Sequence, residues 1–296
     1  GTSAGHNAVF WNGLPINSPS LGQSDFSNIP VGGFDQASVH FGSGGALYGA
    51  DAIGGAVYLT NKLKFGEGHQ VRIGSLFGSF GIWNQQLEYG FSNQQFSART
   101  RVYRNFSEND FPFLNITKFG TPMERQDHAK VIQQGGIEDL AWKINSKNLI
   151  SSSIWWNGTE REIQPIMGSN TKDFQTDTNL RWVLDYFHFS KNKVWNLKSG
   201  LVRDDQVFNT SRNQTIQYFL AADMDWEIGR NWNSKTGIRY TYIVKGEKFS
   251  VKKGRRRRKR QGLWWLSVVV AAAANGTTFV SRNFPETPSW STKEVP

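Results

Sequence analysis

Apolar and polar residues alternate along most of the chain from about residue 69 onward. In the clearest segments one set of alternate positions is mainly apolar or aromatic and the other is mainly polar or charged; these are residues 96–102, 142–146, 216–226 and 232–242. Successive side chains of a strand point to opposite faces of a sheet. A period of two therefore predicts a series of β-strands with one apolar and one polar face.

The connections between these predicted strands are of two kinds. Short turns are predicted near residues 92–94, 138–140, 190–193 and 229–231. Longer polar loops are predicted at the opposite end of the sheet, at residues 107–126, 158–172 and 208–213, with one short turn there at residues 79–81. Outer-membrane barrels have tight periplasmic turns and extended extracellular loops, which is this arrangement. Soluble sandwiches and propellers also alternate, so the periodicity alone leaves both classes open.

The composition agrees with a membrane barrel despite a low mean hydropathy. Apolar residues make up 38% of the 296 residues and the mean hydropathy is −0.51, yet 14% are aromatic, with 12 Trp. In a membrane barrel only alternate positions face lipid, which keeps the average hydropathy low. Trp residues near predicted strand ends are typical of a membrane–water interface. The chain has no apolar run of the ~18 residues that a helical span needs.

Two segments differ from this alternating region. Residues 1–62 are rich in Gly, Ser, Asn and Pro with short β-prone runs, which predicts a small domain with tight turns. Residues 252–296 do not alternate; they begin with a basic run, which is followed by an apolar, alanine-rich stretch at residues 263–274. We therefore divide the chain at residues 1–62, 63–251 and 252–296. Our hypothesis for the last segment is an aberrant, low-complexity tail produced by local frameshifts.

Charge and motifs exclude several classes of function. Eight of the 34 basic residues lie within residues 252–260, and without them 26 basic residues stand against 24 acidic ones, so no broad nucleic-acid-binding face is predicted. The chain has no Cys, no nucleophile elbow and no phosphate-binding loop. Glu108, Asp110 and Asp127 flank the first long loop without the regular spacing of calcium ligands. We predict no enzyme, no catalytic residue, no cofactor and no metal site.

Residues 7–60 contain five short motifs in a fixed order, at residues 11–15 (WNGLP), 29–30 (IP), 39–42 (VHFG), 46–49 (ALYG) and 52–57 (AIGGAV). In order and spacing they resemble the second half of the plug domain of TonB-dependent receptors, in which Asp is usual where this chain has Asn12. The motif positions are Asn12, Gly13, Pro15, Ile29, Pro30, Tyr48, Gly49, Ile53, Gly54 and Gly55. The glycines suit the tight turns that a compact plug requires.

The resemblance implies a mainly β fold in which a partial plug domain precedes an incomplete antiparallel transmembrane β-barrel. The family barrel has about 22 strands, of which roughly nine would lie in residues 63–251. Its location would be the bacterial cell outer membrane. The implied partners are TonB of the inner-membrane energy-transducing complex, outer-membrane lipid and a small-molecule nutrient, with no nucleic acid.

The plug is most similar to those of cobalamin receptors, in which an apical plug loop contacts the corrinoid. Ser20 and Leu21 occupy the corresponding contact positions, so the resemblance implies that they bind substrate. The implied function is energised uptake of a scarce nutrient, either cobalamin or an iron siderophore. The alternative is a passive surface β protein or adhesin without TonB-coupled transport.

The sequence starts at Gly1 without a Met or a signal peptide. Together with the resemblance, this leads us to expect a piece of a longer receptor that lacks the first half of the plug and more than half of the barrel. Open sheet edges are not tolerated in hydrocarbon. We therefore expect that this piece would not insert into a membrane by itself.

Overall fold

The computed structural model describes residues 7–19, 22–41, 54–228, 232–248 and 260–274. These residues form a four-stranded N-terminal sheet, a ten-stranded sheet and a two-stranded hairpin. No helix within these ranges is long and apolar enough to cross a membrane.

The N-terminal sheet contains β1 (Asn7–Trp11), β2 (Leu14–Pro15), β3 (Gln36–Phe41) and β4 (Gly55–Thr60), in the order β2-β1-β4-β3. β1 and β4 are parallel, and the other two pairs are antiparallel. Asn12 (φ 47°) and Gly13 (φ 78°) form the two-residue turn between β1 and β2. Positive φ at both turn residues matches the twist of the strands, and an Asn followed by Gly adopts it readily.

The remaining strands follow one another along the chain. They are β5 (Gly68–Gly78), β6 (Ile82–Ser92), β7 (Phe96–Ser107), β8 (Pro112–Leu114), β9 (Met123–Arg125), β10 (Val131–Asn145), β11 (Asn148–Ile163), β12 (Asp173–Phe189), β13 (Lys193–Phe208), β14 (Ser211–Ile228), β15 (Trp232–Lys248) and β16 (Arg260–Ala274). All except the β8–β9 hairpin form one antiparallel meander that begins at β5 and ends at β16. The mainly antiparallel β fold is thereby confirmed. β16 lies in the segment for which the sequence predicted no alternating pattern.

The predicted turn at residues 138–140 is wrong. These residues lie in the middle of β10, where Asp139 is paired with Arg99 of β7 and with Ser153 of β11. The turn between β10 and β11 falls instead after Asn145, whose side chain accepts a hydrogen bond from the Lys147 backbone N–H at 2.9 Å. Two adjacent acids in the sequence suggested a turn, but Arg99 and Arg101 of the neighbouring strand β7 lie 3.7 Å from Asp139 and make a buried position possible for it.

Long connections lie at one end of the meander. Residues 108–130, which include the β8–β9 hairpin, and residues 164–172 are both at the end opposite the turns at 93–95, 146–147 and 190–192. The predicted long loop at 208–213 is wrong, because pairing continues to Phe208 and Ser211 and leaves a two-residue turn. The connection between β14 and β15, predicted as a short turn, lies outside the described residues.

The two faces of the ten-stranded sheet differ in polarity. One face is largely buried and rich in polar residues, including Arg99, Arg101, Gln133, Asp139, Asn157, Asp177, Arg181, Asp185, Asn196, Gln217 and Asp223. The other exposes large apolar side chains, including Val102, Leu140, Trp142, Ile154, Trp156, Leu197, Tyr218, Leu220 and Ile238. The N-terminal sheet packs against the polar face. An outward apolar face and a polar interior are typical of a membrane barrel.

Candidate functional site

The contact between the N-terminal unit and the polar face of the large sheet contains an aromatic centre. Trp11 of β1 and Trp155 of β11 are both completely buried, and their rings meet edge to face with centroids 5.6 Å apart. Phe34 approaches Trp155 in the same way at 5.1 Å. Gly200 of β13 leaves room for the β1–β2 hairpin, since a Cβ at this position would overlap the Leu14 side chain.

A cluster of charges lies beside this centre. Arg99 and Arg101 occupy successive inward positions of β7 and both bind Asp35, the residue before β3, with shortest N–O distances of 2.7 Å. Asp35 also accepts a hydrogen bond from the Lys62 backbone N–H at 2.7 Å. Burial raises the pKa of the Asp35 carboxyl, but attraction to the two arginines and these hydrogen bonds hold it below its ordinary value of 3.8.

Further acids continue the cluster on the barrel side. Glu88 of β6 accepts a hydrogen bond from Arg101 Nε at 2.6 Å. The buried Asp139 lies 3.7 Å from both Arg99 and Arg101 and accepts a hydrogen bond from the Ser153 hydroxyl at 2.6 Å. A cavity of about 110 Å³ adjoins Asp35, Glu88 and Arg101. The cluster therefore borders a polar space between the two units, large enough for several water molecules.

The predicted motif residue Asn12 belongs to the same network. Its side-chain oxygen accepts a hydrogen bond from the Asn61 backbone N–H at 3.1 Å, and its amide donates to Ser153 Oγ at 3.1 Å. Asn61, which follows β4, donates to Asp139 at 2.8 Å. Asn12 acts as acceptor and donor at once, which an ionised Asp in its place could not do. This gives a physical reason for the departure from the usual family residue.

Lys198 of β13 fixes the tip of the same hairpin. Its ammonium donates to the Asn12 carbonyl oxygen at 2.7 Å and forms an ion pair with Asp185 at 2.6 Å. A Cβ on Gly13 would lie 3.1 Å from Lys198 Cε. Gly13 therefore suits this position, because glycine adopts the positive φ readily and its lack of a Cβ leaves room for the lysine.

A second set of polar contacts lies nearer the end with long loops. Arg161, close to the end of β11, donates to Ser27 Oγ at 2.9 Å and to Asn28 Oδ1 at 2.6 Å, and lies 3.1 Å from the Asp25 carboxylate. Asp25 also accepts a hydrogen bond from the Ser27 backbone N–H at 2.9 Å, which caps the turn at Phe26–Asn28. Arg161 thus ties residues 25–28 to the inner face of the sheet.

The predicted contact residues Ser20 and Leu21 lie outside the described residues. The described residues on either side are close together, since the Ser18 backbone N–H donates to the Gln23 carbonyl at 3.1 Å and Gly22 N–H donates to the Ser18 carbonyl at 2.8 Å. This loop directly precedes the segment that Arg161 holds. Its substrate-binding role stays a prediction.

Five other motif residues lie within the described part of the chain. Pro15 pairs with Phe10 at the end of the β1–β2 hairpin, Ile29 packs against the apolar cluster that contains Trp11 and Trp155, and Pro30 is fully buried. Gly55 starts β4, where a Cβ would lie 2.6 Å from the His40 carbonyl oxygen. Gly54 precedes it as a bend. The remaining motif residues, Tyr48, Gly49 and Ile53, lie outside the described residues.

Several residues of this interface were not singled out from the sequence. Arg99 and Arg101 were visible there only as alternate charged positions on one face of a strand, and nothing local linked them to Asp35 or Asp139. Lys198 and Arg161 carried no signal beyond their charge. Their partners lie more than 100 residues away in the chain, in the β1–β2 turn and the turn at Phe26–Asn28.

The loop acids each have a partner of their own. Glu108 lies 3.4 Å from Lys130, Asp110 forms an exposed ion pair with Arg125 at 2.6 Å, and Asp127 accepts a hydrogen bond from the following backbone N–H. Among the described residues no group of three or more potential ligands is positioned to hold a metal ion.

Comparison with known proteins agrees with this architecture. Residues 1–56 match the family model of the TonB-dependent Receptor Plug Domain. The vitamin B12 transporter BtuB of Vibrio vulnificus is 39% identical over 232 residues, which are 72% of this chain and 35% of that protein. The vitamin B12 transporter BtuB of Photobacterium profundum is 33% identical over 156 residues, which are 47% of this chain and 25% of that protein. The chain therefore spans about a third or less of these relatives.

Solved structures share the fold at low sequence identity. The siderophore receptor PirA from Pseudomonas aeruginosa aligns with 92% of this chain and 46% of its own, with a TM-score of 0.67 and 11% identity. The FrpB iron transporter from Neisseria meningitidis (F5-1 variant) aligns with 83% of this chain and 42% of its own, with a TM-score of 0.70 and 11% identity.

A plug packed against the polar inner face of an outward-apolar antiparallel sheet defines a plugged outer-membrane barrel. The chain belongs to the TonB-dependent receptor family and is similar to vitamin B12 transporters, and its location is the bacterial outer membrane. We refer to residues 1–62 as the plug and to the ten-stranded sheet as the barrel sheet. In outer-membrane barrels the short turns face the periplasm and the long loops face outward, and we orient the barrel sheet in this way.

Proposed function

We propose that the protein takes up a scarce nutrient across the outer membrane with energy from TonB, and that this nutrient is a corrinoid. The corrinoid assignment is supported by curated relatives, named vitamin B12 transporters, at 33% to 43% identity. The solved siderophore receptors are only 11% to 15% identical and support the fold alone. An iron siderophore is therefore the second substrate class to be tested.

The observation that carries the uptake proposal is the way the plug is held. Beside the apolar centre at Trp11 and Trp155, its contacts with the barrel sheet are charged and hydrogen-bonded, around Asp35 and its two arginines and around the Asn12 turn. Such contacts can be exchanged for water when the plug moves, whereas a wholly apolar interface would resist hydration. A plug that must rearrange without unfolding is suited to an interface of this kind.

The proposed sequence of events makes and breaks no covalent bond. Substrate binds on the outer side at the plug loop that contains Ser20 and Leu21. Arg161, which holds the neighbouring residues 25–28, connects this loop to β11. TonB then supplies the work that moves the plug, and the substrate passes between plug and barrel.

Uptake measurements test this proposal directly. The protein is expressed from its own gene in a strain that lacks cobalamin and siderophore receptors, with and without TonB. Radiolabelled cyanocobalamin and a ferric siderophore are supplied separately. We expect cyanocobalamin to bind the cells in both strains and to accumulate only where TonB is present.

Other outcomes would separate the energised uptake from the identity of the substrate. TonB-dependent accumulation of the siderophore alone would retain energised uptake and reject the corrinoid. Binding of either ligand without accumulation in either strain would reject energised uptake and favour a passive surface protein.

A further inference from the structure

The outer face of the barrel sheet contains a groove formed by two rows of side chains, and each row consists of directly paired residues on four adjacent strands. Across β12, β13, β14 and β15, the first row is Leu184, Ser199, Leu220 and Tyr240, and the second row is Tyr186, Leu197, Ala222 and Ile238. In each row one small residue stands between large apolar ones. Ser199 and Ala222 are diagonal neighbours, so the two gaps join.

The result is a depression of about 460 Å³ between the larger side chains. Leu197, Leu220 and Ile238 form its sides and are each about half exposed. The protein lies in the bacterial outer membrane, so lipid covers the exposed apolar positions on this face. Hydrocarbon is therefore the medium to which this groove is open.

Charged and amphipathic groups lie between this groove and the periplasm. The turn after β12 contains Lys191, and Lys193 begins β13 with its ammonium 4.4 Å from the centre of the Trp226 ring. Trp195, on the same face, is 44% exposed, as expected for an indole at the membrane interface. Glu227 also reaches this end, but strand parity puts it on the inner face with Asp223.

The distance between the cations and the groove fits one leaflet. Leu197 and Ser199 lie four and six positions along β13 from Lys193, or ~13 and ~20 Å at ~3.3 Å per residue. A strand tilt of ~40° reduces these distances to depths of ~10 and ~15 Å. Half of a hydrocarbon core is ~15 Å thick, so the groove lies within the deep part of the periplasmic leaflet.

We propose that this groove binds an acyl chain of an anionic phospholipid from the periplasmic leaflet, with the lipid phosphate at Lys191 and Lys193. The apolar rows select hydrocarbon of one chain's width, and the two lysines select negative charge. Each basic residue near an anionic lipid surface contributes about 1 kcal/mol, which corresponds to a preference of about fivefold per lysine. The inference does not depend on which nutrient the receptor transports.

Photo-crosslinking measures this preference. The protein, expressed from its own gene, is reconstituted into vesicles that contain phosphatidylglycerol or phosphatidylcholine with the same diazirine-bearing acyl chain. Attached lipid is then located by mass spectrometry. We expect phosphatidylglycerol to label peptides of β13 and β14 at least about fivefold more than phosphatidylcholine.

Two kinds of variant test the two parts of the site. Ala222→Phe, and separately Ser199→Leu, fill the groove and should remove most labelling of β13 and β14, whereas Ala98→Phe adds the same bulk on the outer face of β7 and should not. Lys191→Gln with Lys193→Gln should abolish the preference for phosphatidylglycerol and keep the phosphatidylcholine signal. Lys118→Gln with Lys130→Gln removes equal charge from the outer loops and should change neither signal.

Three results would overturn the proposal. Equal labelling by the two lipids would mean ordinary annular contact without selection. Unchanged labelling in both groove-filling variants, each verified as folded by its heat-modifiable migration, would mean that the groove is not the binding site. Cross-links to a second copy of the protein in place of lipid would mean that the face is a protein interface. The lysine variants lie at a turn outside the groove, so they remain informative if both filled variants fail to fold.

Discussion

Asp35 of the plug and Arg101 of β7 form an ion pair with an N–O distance of 2.7 Å, and both side chains are largely buried. Arg101 also binds Glu88 at 2.6 Å, while Asp35 binds Arg99 at 2.7 Å. The pair therefore joins a plug residue to two strands of the barrel sheet. Because these charges are shielded from water, removing one of them costs more than breaking an exposed pair.

Asp35→Asn is expected to loosen the plug by about 2 kcal/mol, because Arg99 loses its closest acidic neighbour and Arg101 loses one of its two close acidic neighbours. Hydrogen–deuterium exchange of β3 and β4 in the membrane-embedded protein measures this loss. The matched control is Asp110→Asn, which breaks the exposed ion pair with Arg125 and should cost less than about 1 kcal/mol. Equal protection of the plug in the two variants would contradict a stabilising role for Asp35.

The same residue predicts an acid-sensitive plug. The pKa of Asp35 is lowered in the folded state, so its ionised form contributes stability that is fully present above the unfolded value near 3.8 and is lost as pH falls through the folded value. Plug protection is therefore expected to decrease below about pH 3.8 in the native protein. Asp35→Asn should show a smaller decrease over that range. An identical pH profile for the variant would assign the acid sensitivity to other carboxylates.

Neighbouring tryptophans offer a test of which face of β11 the plug covers. Trp155 is completely buried against Trp11 and Phe34, whereas Trp156 is 43% exposed on the outer face. Trp155→Ala should destabilise the protein by about 3 to 5 kcal/mol, because it leaves a cavity at the plug contact. Trp156→Ala removes the same side chain from the lipid side and should cost much less. Heat-modifiable migration after graded heating distinguishes the two, and a reversed order would invert the assigned faces.

The apical loop prediction concerns substrate affinity rather than stability. Leu21→Asp is expected to raise the dissociation constant of cyanocobalamin about tenfold, since a contact residue near the centre of a binding site typically contributes more than 1 kcal/mol. Val39→Asp is a suitable control, because Val39 is an exposed apolar residue of the plug on β3. Binding to whole cells in the absence of TonB measures affinity without transport. Unchanged affinity for Leu21→Asp would remove Leu21, and with it the predicted loop contact, from the binding site.

Much of the fold could be predicted from the sequence because its signals are local. Alternation along β7 and β14 identified strands, and the motif around Asn12 and Gly13 identified the plug. The turn predicted at 138–140 failed because Asp139 is neutralised by arginines of β7, about 40 positions earlier in the chain. The loop predicted at 208–213 failed because polar residues near Arg212 continue the strand pairing, with Arg212 binding Asp205 of the adjacent strand.

The plug–barrel contacts could not be predicted, because they join residues that are far apart in the sequence. Asp35, Arg99 and Lys198 are ordinary charged residues in the sequence, and only the meander of β7 to β13 brings them around one plug. The sequence carried no indication of which plug residue meets which strand.

A reversible cross-link between plug and barrel tests most directly whether the plug moves during transport. The chain has no Cys, so Ser27→Cys with Arg161→Cys introduces one thiol on each side of a contact whose side chains are 2.9 Å apart. A short, reducible bifunctional thiol reagent is added to cells, and TonB-dependent accumulation of cyanocobalamin or siderophore is measured. The two single-Cys variants are the controls.

We predict that the cross-linked protein still binds ligand at the cell surface but accumulates none, and that reduction restores accumulation to the level of the single-Cys controls. Accumulation that continues at the control rate while mass spectrometry finds residues 27 and 161 joined would contradict the account, because the plug would not need to leave this contact during transport.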